Sequence, residues 1–320
     1  MKILDETKLA DLAEQIVLTK IHVNDAMSEL VNVTNNLNAI EDQLRRLAAS
    51  EQPQTPTEPE QPSALVPLVT DDFSRYSSTV DLRKNINKNI GGTGEGRVLY
   101  SDGQVQDSIF LNTSVLFKGK PTIEYTFRSD RDTDPNLSVY LPVPLSSLWF
   151  RYIIKYSKGF TTEGAPVTMD SARAYKVCGL GWKGYDGRCT IEITNRDQYV
   201  VNMGAKNRAT SKYDLPFREA ASDTRVTSEW NDESVWMEYI MHLRPDNANN
   251  MLLNGFHGVY GGELAAFPQL MSTRPAGIVS VDRIMLGLNM NRIPYKTQGI
   301  YIGQWEVYDG SVYADPFKVY

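Results

Sequence analysis

The chain has 320 residues, 41% of them hydrophobic and 22% charged, which supplies the apolar material for one sizeable domain and excludes a disordered chain. No apolar run approaches the ~20 residues of a membrane span, and the start runs straight into Asp5 and Glu6 without a signal-peptide core, so no membrane partner and no export are expected. The net charge of −6 is held by residues 1–62, where five Lys/Arg stand against eleven Asp/Glu, and the balanced remainder lacks the positive excess that a nucleic-acid partner requires.

The first element is a heptad repeat. Counting Leu9 as position a, the a sites are Leu9, Ile16, Val23, Leu30, Leu37 and Leu44, and the d sites are Leu12, Thr19, Ala26, Val33, Ile40 and Leu47. A repeat kept in register this long winds helices into a left-handed supercoil, so residues 1–50 are expected to form a parallel coiled-coil oligomerisation stalk, about 58 Å long at about 1.5 Å per residue. Leu at most a sites and β-branched Val33 and Ile40 at d point to a homotrimer, with dimer and tetramer open. The alternative is an amphipathic helix lying on the downstream domain.

Residues 51–69 follow as a linker, with Pro53, Pro56, Pro59 and Pro62 at the three-residue spacing of polyproline II. A Pro-rich recognition ligand would carry a basic residue here, and none is present.

From Thr70 to the end, short runs rich in Val, Ile, Tyr, Phe and Trp alternate with Gly, Asn, Asp and Pro clusters, the pattern of an antiparallel β-sandwich. Strands are expected at 97–100, 122–128, 149–156, 190–195, 234–243, 278–288 and 299–308, with no long helical periodicity after residue 50. Strand alternation gives 149–156 one face of Phe150, Tyr152, Ile154 and Tyr156, read as core, and one of Trp149, Arg151, Ile153 and Lys155. For 235–244 the core set is Val235, Met237, Tyr239, Met241 and Leu243; the other face carries Trp236, Glu238, Ile240, His242 and Arg244. Cys178 and Cys189 flank a Gly-rich turn and could pair or remain inert thiols; no further ligands complete a zinc set. The glycines of 89–98 lack the Lys-Ser/Thr of a P-loop and read as a loop.

Four stretches in this order, DDFSRYSST at 71–79, LWFRYIIKYSKGF at 148–160, EWNDESVWMEYIMHLR at 229–244 and DRIMLGLNMNRIPYKTQGIYIGQWEVYDGS at 282–311, resemble the concanavalin A-like jelly-roll superfamily of laminin-G-like, polysaccharide-lyase-like and virion modules. The resemblance implies two antiparallel sheets, one concave and often carbohydrate-binding. The alginate-lyase strands R-[ST]-E-x-R, Q-[IV]-H and YFKAGxYNQ and the glucanase E-x-D-x-x-E set are missing, so no catalytic residue is assigned and the chain is expected not to be an enzyme. Stalk, Pro-rich spacer and jelly roll together resemble a tailed-bacteriophage head fibre or capsid decoration protein. That implies a virion-surface location, capsid proteins as partners of the N-terminal region and a host-surface polysaccharide as a candidate ligand.

The glycan-binding candidates are Trp149, Arg151, Lys155, Trp236, Glu238, His242 and Arg244, because aromatic rings stack on sugars and cations bind sugar carboxylates. The same residues could instead form a solvated sheet surface or an interface between copies. No cofactor is expected beyond a calcium site at Asp71, Asp72 and Asp315, should the first and last strands pair. The alternative function is a polysaccharide lyase or hydrolase working on the concave face.

Overall fold

The computed structural model describes residues 65–90, 97–98, 108–130, 137–166, 173–183, 185–194, 198–207, 213–225, 234–247, 250–273, 280–287, 290 and 292–319. The chain divides into two compact units, Met1–Ala64 and Leu65–Tyr320, and the described residues belong to the second. The stalk positions Leu9 to Leu47, and with them the trimer, lie outside the described residues.

The second unit is built from β1 (Val69–Asp71), α1 (Thr79–Asn89), β2 (Arg97–Val98), β3 (Ile109–Phe117), β4 (Lys120–Phe127), β5 (Leu137–Leu145), β6 (Leu148–Tyr156), β7 (Gly164–Pro166), β8 (Arg173–Trp182) and β9 (Tyr185–Thr194). It continues through β10 (Gln198–Asn207), β11 (Tyr213–Arg225), β12 (Met237–Asn247), β13 (Asn250–Val259), β14 (Leu264–Ala266), β15 (Leu270–Thr273), β16 (Val281–Leu286), β17 (Arg292–Pro294) and β18 (Gln298–Asp309). A nine-stranded sheet runs β14-β13-β12-β6-β18-β4-β3, with β1 on β18 and β15 on β13; a seven-stranded sheet runs β11-β10-β9-β8-β16-β5-β2. The main pairings are antiparallel.

Inward side chains of both sheets merge into one apolar core. Phe150, Tyr152, Ile154 and Tyr156 of β6 and Met237, Tyr239, Met241 and Leu243 of β12 belong to it, as alternation requires, with Val235 packed at its margin. From the second sheet come Cys189, Ile191 and Ile193 of β9 and Tyr199, Val201 and Met203 of β10. Three tyrosines join the layers: Tyr239 Oη lies 2.8 Å from Tyr156 Oη and 3.0 Å from Tyr199 Oη. Cys178 and Cys189 are free, fully buried thiols, and burial raises both thiol pKa values.

The helix α1 departs from the expectation of an all-strand domain. Ser78 caps it, accepting from Asp81 N at 3.1 Å, and only Leu82 and Ile86 supply apolar burial, too few to produce a visible helical period. The β3–β4 hairpin turns on Lys118 and Gly119 with φ of 51° and 77°, the pair of positive angles that matches strand twist in a two-residue turn.

Replacing Tyr239 by Phe removes the shared partner of two buried hydroxyls and is expected to cost about 1–3 kcal/mol. The check is urea unfolding, where the midpoint falls while the slope is unchanged.

Candidate functional site

The sandwich leaves one outward face on each sheet. On the first sheet, register aligns Trp149 with His242 and Tyr308, and Arg151 with Ile240 and Glu306, so the sequence-derived candidates do share a face. They do not share an environment. Segment 313–319 lies over the Trp149 end, where Trp149, Ile240, Phe256 and Tyr308 form a second apolar cluster with Tyr313, Phe317 and Val319. Trp149 is fully buried, donates Nε1–H to Tyr313 O at 3.1 Å and stacks on His242 at 3.6 Å between ring centres. Trp149 and His242 are therefore packing residues here, which corrects their assignment as open glycan contacts: large apolar rings on an outward face are covered by chain wherever chain is available.

Burial, and after it the charge of the half-buried Arg244, hold the His242 pKa down at about 4. His257 is likewise lowered to about 4 by burial. Arg151, Lys155, Trp236 and Glu238 remain together. Arg151 Nε lies 2.7 Å from Glu238 Oε1 and its Nη1 3.3 Å from Glu306 Oε2, while Lys155 Nζ stands 5.0 Å over the Trp236 ring.

The calcium candidates do not converge. Asp71 is buried, accepting from Tyr76 Oη at 2.6 Å and Phe73 N at 2.9 Å, and Asp72 pairs with Lys120. Asp315 accepts from Val319 N at 3.2 Å and acts on His242, on the covered part of the first sheet. β1 does pair with β18, but Asp71 meets Trp305, and Asp315 lies beyond the end of that strand. Among the described residues no group of three His, Cys, Asp or Glu side chains could hold a metal ion.

The second sheet carries a polar row that sequence reasoning passed over. With Cys189, Ile191 and Ile193 turned inward, Thr190 and Glu192 of β9 face outward, as Asn202 does on β10 between Val201 and Met203. Lys176 is the register partner of Glu192, and Thr190 that of Asn202. All four are buried despite facing away from the core: Lys176 is 8% exposed, Glu192 1%, Asn202 2% and Thr190 0%. Thr190 Oγ1 stands 2.7 Å from Glu192 Oε1 and 2.8 Å from Asn202 Oδ1. One hydroxyl proton cannot serve both oxygens, so the Thr190 hydroxyl donates to Glu192 Oε1 and the Asn202 amide is turned to donate to Thr190. Either way one amide atom of Asn202 has no protein partner among the described residues.

Toward the other end of β8 from Lys176, Gly181 carries no side chain, and a Cβ there would come within 2.1 Å of Arg283 Nε. The half-buried Arg283 is thus laid across the sheet, its Nε without a hydrogen-bond partner among the described residues. Burying polar groups is costly unless partners offset it, so a lysine, a carboxylate and an amide gathered on one buried outward face make this row a candidate site. The alternation in CTIEIT was the readable signal. The burial was not readable, because it arises only in the assembled sheet.

No known family model and no curated protein matches the sequence. Among solved structures, an alginate lyase of polysaccharide-lyase family 14 from Aplysia kurodai is similar at 8% identity and a TM-score of 0.51, over 77% of this chain and 100% of its own. A Chlorella virus alginate lyase (12% identity, TM-score 0.38, 61% and 87% covered) and a Bacillus licheniformis GH43 protein (5%, 0.43, 81% and 41%) are more distant in shape. The first likeness shows a shared antiparallel β-sandwich fold. It also corrects the expectation that the chain is not an enzyme: a lyase is built on the same fold at 8% identity, where strand motifs need not persist, so their absence excludes nothing.

The two buried histidines make a pH prediction. Unfolded, each binds a proton near 6.5, and folded only near 4, so the unfolded chain holds more protons in between and stability falls as pH is lowered through that interval. Urea midpoints measured between pH 7 and pH 4 are expected to drop, and His257→Gln to flatten the drop.

Proposed function

We propose that the β-sandwich is a polysaccharide lyase acting on an anionic, uronate-containing chain, with its reaction centre on the outward face of the second sheet. The observation that carries this reading is the register pair Lys176 and Glu192, charged and buried on a face turned away from the core. Glycoside hydrolysis uses two carboxylates across the bond. Here a single carboxylate is paired in register with a lysine, with the Asn202 amide on the next strand and the Arg283 cation farther along the sheet, a balance suited to an anionic substrate and to elimination.

In this reading Arg283 pairs with the uronate carboxylate, which makes the adjacent C5 proton more acidic, and Asn202 hydrogen-bonds a ring hydroxyl. Glu192 takes the C5 proton; the C5–H electron pair forms the C4=C5 double bond; the C4–O bond breaks, and the leaving oxygen takes a proton from the Lys176 ammonium. Proton return from Glu192 to its neighbour Lys176 restores both groups, so atoms and charge balance over a turnover. Thr190 is a positioning residue, holding Glu192 by its hydroxyl. The lyase that shares the fold supports the reading only as a demonstration that the scaffold accommodates such chemistry. The heptad repeat at 9–47 serves oligomerisation, so that several weak sites meet one polymer.

The test is incubation of the full chain with polyuronates and with neutral polysaccharides, following the ultraviolet absorbance of unsaturated ends. Release is expected from a polyuronate, and Glu192→Gln is expected to lower it at least a hundredfold with unchanged circular dichroism. New reducing ends without unsaturation would replace elimination by hydrolysis, and no cleavage of any polymer would remove the enzyme reading.

A further inference from the structure

The first sheet carries a cavity that the lyase reading leaves unused. It has a volume of about 740 Å³, within the range of small-ligand sites, and lies between the β13–β14 turn at 260–264 and segment 316–319. Arg151, Glu238 and Ile240 form its floor, and Tyr260 and Phe317 stand on its walls. The Arg151 guanidinium carbon is 5.5 Å from the Tyr260 ring centre and 5.2 Å from that of Phe317, so two aromatic rings flank one hydrogen-bonding head group.

Two glycines make this arrangement possible. A Cβ at Gly258 would meet Glu263 O at 2.7 Å, so the turn folds over the sheet only because that position is bare. A Cβ at Gly303 would meet the Trp236 ring at 2.7 Å and Phe117 at 2.8 Å, which keeps the adjoining aromatic group close to the strand. Lys118, held at the hairpin tip, stands 5.1 Å over Tyr260.

We infer that this cavity is a second saccharide site, separate from the Lys176–Glu192 row, and that it takes an uncharged sugar unit. The apolar faces of a pyranose fit against Tyr260 and Phe317. Arg151 supplies donors and Glu238 an acceptor for neighbouring hydroxyls, as a diol requires. Charge sets the class. Around the cavity Arg151 and Lys318 are matched by Glu238 and Glu263, and Glu306 adds a further negative charge against Arg151. A uronate carboxylate placed on this floor would meet two glutamates at short range, whereas a neutral hexose carries no such penalty.

Calorimetric titration of the full chain with maltohexaose, cellohexaose, mannohexaose and a galactan hexamer, and in parallel with alginate and polygalacturonate hexamers, tests the inference. At least one neutral probe is expected to bind, and Tyr260→Ala and Glu238→Gln are each expected to weaken it tenfold or more. Phe317→Ala, on the opposite wall and away from the sheet hydrogen bonds, repeats the test, with unchanged circular dichroism as the control for folding. Glu192→Gln is expected to leave neutral binding within twofold, which separates this site from the proposed reaction centre. Failure of every neutral probe to bind, or loss of neutral binding in Glu192→Gln but not in Tyr260→Ala or Phe317→Ala, overturns the inference. Binding of only the uronates at the Tyr260 site would overturn it too.

Discussion

Strand alternation is the constraint on which the molecule depends. Each strand in the two sheets sends alternate side chains to opposite faces, and the inward sets meet in one core that includes Tyr152, Trp305, Ile191 and Val201. Burial of those rings and branched chains supplies the driving force, while the hydroxyls of Tyr156, Tyr199 and Tyr239 find each other across the layers instead of remaining unpaired. Since the inward positions are committed to packing, chemistry is confined to the outward faces.

Those faces are used differently. On the first sheet, segment 313–319 covers Trp149 and His242 and leaves a cavity over Arg151 and Glu238, where ion pairs and aromatic rings lie side by side. On the second, Lys176, Thr190, Glu192 and Asn202 are packed into the sheet itself, with Gly181 giving Arg283 room to lie flat. The first arrangement suits recognition of hydroxyls. The second sets Lys176 and Glu192 in register on neighbouring strands, the charged pair on which the proposed proton transfer rests.

Much of the fold was legible because the alternation is written plainly in β6 and β12. LWFRYIIKY separates into Phe150, Tyr152, Ile154 and Tyr156 inside and Trp149, Arg151 and Lys155 outside, and the structure keeps that division. The helix α1 was not legible, since two apolar residues do not make a period. The fate of Trp149 was hidden for another reason: a segment more than 160 residues away lies on it, as the hydrogen bond to Tyr313 O shows. The Asp71, Asp72 and Asp315 group does not converge because, although β1 pairs with β18, Asp315 lies beyond the end of that strand. The row on the second sheet was half legible, its outward direction following from CTIEIT and its burial only from the assembled sheet.

The most direct measurement is the hydrogen-exchange footprint of a polyuronate hexamer on the full chain carrying Glu192→Gln, where substrate can bind without being consumed. Protection is expected over β8, β9 and β10, around Lys176, Thr190 and Asn202. Protection confined to the first sheet, or a footprint that is the same with a neutral hexamer, would contradict the assignment of the reaction to the second sheet.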